Sequence, residues 1–517
     1  MHMLSTRVLL FVLAGMGSFF PSALSEPLAM RQAQLQRVWK EYLLAGDDAV
    51  GGSPEVGQIG SMAKYALPVR ANDSPKLNTA YYFSQKTDHF GLSSSTFKQK
   101  IYINAQHYTS GGPIFLLNSG ETPASPSYLT AGEPYTLAKA TGGLLIIMEH
   151  RYYGTSYPVS DMSGKNMVYL TVENALEDMA NFIRNAQVFV KSVIGVTVSP
   201  NSKWVATGGS YSANLAAWMR LKYPELIHAA YASSAPVRAE VDFYQYDQVV
   251  GQALPCAQNI ANAVSTLDLI LDSGNRTLIN SWKRACGLGA LKDDADFAGA
   301  LTDQMSNTVQ YYMPTETNDA IATLCSWFSR TRNNPLQNLA DMMAAYVRNS
   351  NIDVVAAYSS NSGADITDLY QDGRSWFYQT CTQFGYWQTA PRPPLRRLRS
   401  RFMTAEWQSR PCRAFFGDVV PQVPDTAGIN ERYGGLMPNV TRVVFVNGLL
   451  DPWSSLSLPA DPVAVLKATA QGQNAVITMP RASHVADFYF APSYTDFGVD
   501  VARRQIMEAI VNFLSQD

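Results

Sequence analysis

Short apolar runs, each followed by a polar or glycine-bearing loop, recur at Pro113 to Leu117, Leu144 to Met148, Trp204 to Ala206, Val443 to Val446 and Ala475 to Met479. That pattern predicts parallel strands covered on both faces. Ahead of them, Ala80 to Phe90 begins the ordered region, and Gln99 to Ile103 alternates as a strand does. Helical periodicity fills the intervals, most clearly at Val172 to Val193, at Ala213 to Tyr223 and at the terminal Val501 to Leu514. The order is βαβ, and ligands of such sheets gather beyond the C-terminal ends of the strands.

Between about Val241 and Pro424 the strand-like runs stop, helix-like segments dominate and all five cysteines fall. A helical lid inserted into the α/β core explains why the sheet pattern ends and then resumes at Val443. The expected organisation is a signal peptide at 1–25, an N-terminal extension at 26–79, the first part of the core at 80–240, the inserted lid at 241–424 and the second part of the core at 425–517. Within the extension, Leu28 to Leu44 suits a surface helix and Gly51 to Ser61 a glycine-rich loop. Trp282, Trp327, Trp376 and Trp387 are expected as lid core, since large aromatics are mostly buried.

Composition narrows the class. At 517 residues, 46% hydrophobic and 16% charged, the chain is long and apolar enough for a large buried core and is unlike a disordered one. The net charge of −2 implies no polyanion partner. A short basic stretch from Arg392 to Arg401 includes prolines and reads as a solvated turn and helix face rather than a nucleic-acid site. Arg7 precedes the apolar run Val8 to Ala14, and small residues lead to Ala23-Leu24-Ser25, the layout of a cleaved secretory signal. Later in the chain there is no apolar run of about 20 residues to anchor it in a membrane. Sequons at Asn72, Asn275 and Asn439 fit an extracellular or lysosomal or vacuolar destination. None of the cysteines shows Cys-x-x-Cys spacing and histidines number only six, so neither a metal site nor any cofactor is expected.

The candidate chemistry centres on Gly208-Gly209-Ser210-Tyr211-Ser212, between an apolar strand and a helix-like run. A serine at a sharp strand-to-helix turn projects its hydroxyl off the sheet, above a helix N-terminus that favours developing negative charge. Gly-Gly-Ser turns also occur in loops without chemistry, so a base and an orienting carboxylate must be found. Only His228 and His484 follow Ser210, and His228 lies just past the elbow helix, too early for the order Ser, Asp or Glu, His. His484, in the loop after Ala475 to Met479, is therefore the expected base. Asp451 ends the strand Val443 to Val446 and is the expected carboxylate, with Pro452 stiffening its loop. Asp487 is the rival, but so close to His484 it suits a helix cap or a local hydrogen bond better. For the oxyanion, the backbone N–H of Tyr211 and a second amide at Gly120, in Asn118-Ser119-Gly120-Glu121, are the candidates, though Gly120 also fits a plain turn. Glu149-His150-Arg151-Tyr152-Tyr153-Gly154 reads as a buried network that holds the elbow region.

Taken in order, Gln85, Asp88-His89-Phe90, Glu149 to Gly154, Tyr169-Leu170-Thr171, Gly208 to Tyr211, Leu215 to Trp218, Ser233 to Pro236, Tyr378 to Thr382, Asn447 to Trp453 and Ser483-His484 resemble one family. It is the serine carboxypeptidase family of lysosomal prolyl carboxypeptidase, dipeptidyl peptidase II and thymus-specific serine protease. The resemblance covers most of the chain from about Ala80 onward. It implies an α/β-hydrolase fold with an inserted helical lid (cap) domain, Ser210, Asp451 and His484 as triad, and cleavage after proline or a small apolar residue. It also implies a partly aromatic pocket for the proline ring, with Trp453 at a matching position and Phe488 as a second wall; ordinary core packing is the other reading of Trp453. Family members commonly have a small residue and glycine where this chain has Ser212-Ala213, and glutamate where it has Gln383. The dipeptidyl branch needs acidic groups for the substrate amine, and Trp376-Phe377-Tyr378-Gln379 offers none, which favours carboxypeptidase-like or endopeptidase-like action. Beside the animal members, which carry more cysteines, the expected pairs are Cys381 with Cys412 and Cys256 with Cys325, leaving Cys286 unpaired.

Peptide substrates are thus the expected partners, without nucleic acid or membrane anchor, and a homodimer is left open. A carboxylic-ester hydrolase on the same fold and a catalytically silent binding protein are the alternatives; an intact Ser210, Asp451 and His484 argues against the second.

Overall fold

The computed structural model describes residues 77–91, 94–313, 319–330, 334–350, 353–359, 372–458, 473–489 and 498–516. The expected signal peptide, the helix at Leu28 to Leu44, the loop at Gly51 to Ser61 and Asn72 lie outside them.

Eight strands form one sheet in the order β1-β2-β4-β3-β5-β6-β9-β10. β1 (Tyr81–Lys86) and β2 (Thr96–Asn104) run antiparallel to each other, and β2 runs antiparallel to β4. β3 (Ile114–Asn118), β4 (Leu144–Met148), β5 (Trp204–Gly209), β6 (Ala229–Ser233), β9 (Val443–Gly448) and β10 (Ala475–Met479) are mutually parallel. β3 to β6 and β9 are buried along their whole length, which is why β3, β4 and most of β9 are written as nearly unbroken apolar runs. β1 and β2 instead alternate buried and exposed positions. β6, Ala-Ala-Tyr-Ala-Ser, is the strand that the apolar pattern does not announce, because alanine carries little strand preference. With this strand order and helices packed against the sheet, the fold is that of an α/β hydrolase.

On one face, α1 (Glu133–Ala140) and the terminal helix α5 (Val499–Ser515) close a core with Phe115, Leu117, Ile147, Val205 and Tyr231. Also flanking the sheet are α2 (Val172–Ile194), started by the Thr171 side chain and ended by Gly195 at φ 75°, and α3 (Tyr211–Lys222).

Helices dominate between β6 and β9, among them α4 (Asp294–Gln310) and a helix at Asp372–Gln379 that runs into a wide turn at Thr380–Phe384. Strands do not vanish here: β7 (Glu240–Asp242) and β8 (Gly385–Trp387) pair in parallel. They are too short for sequence alternation to register. Disulfides join Cys256 to Cys325 and Cys381 to Cys412, with Cα atoms 5.4 and 5.8 Å apart, and Cys286 is free and buried. The basic stretch is not simply a solvated turn and helix face. Arg399 is buried against Asp247 at 3.1 Å and Arg397 reaches Asp268 at 3.5 Å.

A buried ionic cluster fastens β1, β2 and α2 behind β4. Arg151 meets Asp178 through Nε at 2.7 Å and Nη2 at 2.6 Å and donates to the Thr87 carbonyl, while His89 Nε2 lies 2.8 Å from Asp178. Glu149 accepts from Lys100, from the Ala124 and Thr155 backbones and from Ser156. A buried cation without its partner is expensive. Asp178→Ala is therefore expected to lower unfolding free energy by about 3–5 kcal/mol in a denaturant titration; a loss below about 1 kcal/mol contradicts this reading of the cluster.

Candidate active site

Ser210 stands where β5 turns into α3, with φ 60° and ψ −131°, a conformation strained for any side chain. Of the two residues before it, Gly208 has no room for a side chain and Gly209 has only a tight fit for one. A Cβ on Gly208 would lie 2.2 Å from the Ser212 carbonyl oxygen, and one on Gly209 would lie 3.1 Å from Val485. Ser210 N–H donates to the Ser233 carbonyl at 2.9 Å, so β6 pins the turn from the side. Ser212 and Ala213, the departure from the family pattern, do not crowd the elbow: both are buried, and the Ser212 hydroxyl donates to the Asn118 carbonyl.

His484 Nε2 lies 2.9 Å from Ser210 Oγ, and its Nδ1 lies 2.8 Å from Asp451 Oδ2. A carboxylate accepts only, so Nδ1 carries the ring proton and Nε2 is left to accept from the serine hydroxyl. Asp451 is fully buried, and its other oxygen accepts from the Trp453 N–H at 2.9 Å, which fixes its orientation. The histidine loop is held from the insert. Ser483 Oγ donates to the Val309 carbonyl at 2.6 Å, and His484 N–H reaches the Gln310 carbonyl at 3.3 Å, both at the end of α4. No local signal in the sequence announces that tie.

Tyr211 is the first residue of α3, so its N–H has no acceptor within the helix. Its side chain is locked. His150 Nδ1 lies 2.7 Å from the Arg151 carbonyl and must carry the proton there; burial lowers this imidazole to about 4, so the ring is neutral and Nε2 accepts from the Tyr211 hydroxyl at 3.1 Å. Gln379 donates to the same hydroxyl at 2.9 Å and accepts from Tyr153 at 2.6 Å.

Gly120, the expected second donor, needs correction. Its N–H is spent on Asn118 Oδ1 at 2.9 Å. What the position requires is small size: φ is +67°, and a Cβ there would meet the Ser212 Cβ at 3.1 Å. Phe488 is corrected as well. It is buried in the main core, 5.9 Å centroid to centroid from Tyr231, beneath the elbow. Asp487 takes its own backbone N–H, a local bond of the expected kind, and also reaches across to β6, accepting from Tyr231 at 2.6 Å and Ser233 at 2.7 Å, while burial pushes its carboxyl up.

Ser210 opens into a cavity of about 400 Å³. Trp453, Trp376, Phe377, Tyr386 and Trp387 form its aromatic side, so Trp376 and Trp387 are not only interior packing of the insert as expected. Trp282 and Trp327 are half-buried, and Arg330 sits over the Trp327 ring. Tyr386 takes the place expected of Phe488, lying 5.2 Å from the Trp453 ring. Glu121, Thr122 and Asp372 lie along the cavity's polar part. These carboxyls come from outside the Trp376 to Gln379 stretch, and only their place in the fold reveals them. Asn275 and Asn439 are exposed.

The family model described as serine carboxypeptidase S28 matches residues 85–506. The thymus-specific serine protease of Mus musculus is 33% identical over 74% of this chain and 78% of its own length, and that of Homo sapiens is 32% identical over 73% and 77%. A protein of Arthroderma benhamiae named probable extracellular serine carboxypeptidase is 28% identical over 81% of this chain and 64% of its own. Among the described residues no helix is long and apolar enough to cross a membrane.

Tyr211→Phe removes the hydroxyl that His150 and Gln379 share and leaves two buried polar atoms unpaired. The expected loss is about 1–3 kcal/mol in urea unfolding. An unchanged midpoint contradicts the network.

Proposed function

We propose, for a chain that belongs to the serine carboxypeptidase S28 family and is a serine-type peptidase, that it cleaves peptide bonds after proline or a small apolar residue in a carboxypeptidase-like manner. The observation that carries this is the line of contacts from Ser210 through His484 to Asp451, at 2.9 and 2.8 Å. Ser210 Oγ attacks the scissile carbonyl while His484 Nε2 takes its proton, and Asp451 holds the ring and offsets the charge that forms on it. The Tyr211 N–H faces the developing oxyanion. His484 then returns the proton to the leaving amine, and water, activated in the same way, releases the acyl group and regenerates the serine.

The aromatic side of the cavity supports the choice of residue before the cut. A proline ring is apolar and rigid, and Trp453, Tyr386 and Trp376 offer it flat surfaces within the space that opens from Ser210. Residues 241–424 act as a lid in this reading, since Trp376 and Tyr386 come from that stretch whereas Ser210 and Tyr211 come from the core. A secretory route, ending outside the cell or in a lysosome or vacuole, fits the leader-like N-terminus and the exposed Asn275 and Asn439.

A peptide panel varied in proline position and in blocked or free termini tests the reading, with wild type and Ser210→Ala assayed from acidic to neutral pH. Cleavage after proline is expected, falling about 10⁴- to 10⁶-fold in kcat for Ser210→Ala. Turnover of simple esters without any peptide cleavage contradicts it and favours an esterase.

A further inference from the structure

The polar part of the cavity holds a group that acyl transfer leaves unused. Glu121 follows Gly120 on the loop after β3 and lines the cavity together with Ser210 and Thr122. Its carboxyl takes the Glu121 backbone N–H, yet Oε2 is sealed from solvent and has no hydrogen-bond partner among the described residues. An ionised oxygen left so is costly, so the group either holds a proton or awaits a partner from a ligand. Burial pushes this carboxyl up to about 7, against the opposing influence of its own N–H and of His484. Around it the neighbours are phenols: Tyr128, Tyr153, Tyr211, Tyr386 and Tyr489 lie close enough to feel its charge. Of the cavity's other charged groups, the Arg399 guanidinium is engaged by Asp247, and Asp372 is itself raised to about 6 by burial. Below neutrality the carboxyl is therefore neutral, and because Glu121 as a whole is only half-buried where it lines the cavity, a turn of its carboxyl brings the O–H to the space beside the nucleophile.

We propose that Glu121 is the anchor for the α-carboxylate of the substrate's C-terminal residue, donating its O–H to a carboxylate oxygen and so selecting a leaving group one residue long. This rests on the carboxypeptidase-like reading above and names the group that makes it so. A terminal carboxylate offers only acceptors, and an O–H···O⁻ bond is among the strongest neutral-to-charged contacts. It also has to lie within about 4 Å of the scissile nitrogen, one residue's reach, and Glu121 is placed on the loop that abuts the elbow through Gly120. A substrate amine would instead require the ionised form, which burial disfavours. Because the carboxylate binds the protonated group, the anchor is complete below about pH 7 and is lost as pH rises beyond it.

The test is the ratio of kcat/KM for an N-blocked Pro-Phe peptide as free acid to that for its C-terminal amide, followed over pH, since the amide divides out the pH dependence of the chemistry. In wild type the ratio is expected at about 10 to 100 in acid, declining up to about tenfold per pH unit above neutrality. Glu121→Gln keeps an acceptor for the backbone N–H and a donor for the carboxylate, so its ratio is expected to persist without the decline; in Glu121→Ala it falls to about one. A wild-type ratio near one at every pH overturns the carboxypeptidase reading and the anchor with it. A wild-type preference that both variants retain, decline included, overturns the anchor alone. Selective loss in Glu121→Ala of peptides with a free amine, relative to acetylated ones, assigns Glu121 to the amine instead and likewise overturns it.

Discussion

A serine held at φ 60° at the end of a central strand sets the terms for everything around it. Such a backbone costs about 1–3 kcal/mol and survives only where its surroundings leave the chain no alternative. Here β5 lies between β3 and β6, the Ser233 carbonyl takes the Ser210 N–H, and Gly208 and Gly209 leave no Cβ to collide with Ser212 or Val485. Gly120 belongs to the same constraint from the opposite side, giving room to the Ser212 side chain. The Tyr211 hydroxyl, caught between neutral His150 and Gln379, keeps the first turn of α3 from relaxing.

Burial then decides the protonation states that the site can use. His150 is kept neutral by desolvation and serves as a hydrogen-bond relay rather than a charge. Asp451 is compensated by the histidine it orients and by the Trp453 N–H. Glu121, with one oxygen unpartnered, is pushed the other way, toward its protonated form. His150 and Glu121 are thus both driven toward their uncharged forms by environment alone. The insert contributes to both parts of this arrangement: α4 fixes the histidine loop through Ser483, and Trp376 and Tyr386 line the cavity.

Much of the sheet was legible in the sequence because a strand buried on both faces must be apolar throughout. β3, β4 and β9 were marked this way within a residue or two, β10 shows an apolar run although it is a part-exposed edge strand, and the ends of β5, β9 and β10 led to Ser210, Asp451 and His484. β6 escaped because Ala-Ala-Tyr-Ala-Ser has the burial of a strand without its preferred residues. What stayed hidden depends on partners far along the chain. The Gly120 N–H has a side-chain acceptor, Phe488 turns under β6, and Trp376 and Trp387 face a cavity shared with the core. Glu121 is three residues past a buried strand, but its unmatched oxygen is a property of the packed site, which no local pattern encodes.

Stoichiometric labelling with a fluorophosphonate, read by intact mass and peptide mapping, tests the central claim most directly, because only an activated serine reacts. One phosphonyl group per chain is predicted, carried by Ser210 and absent when His484 is replaced by alanine. An adduct on another residue, or peptide cleavage that persists without Ser210, would contradict a nucleophile built at this elbow.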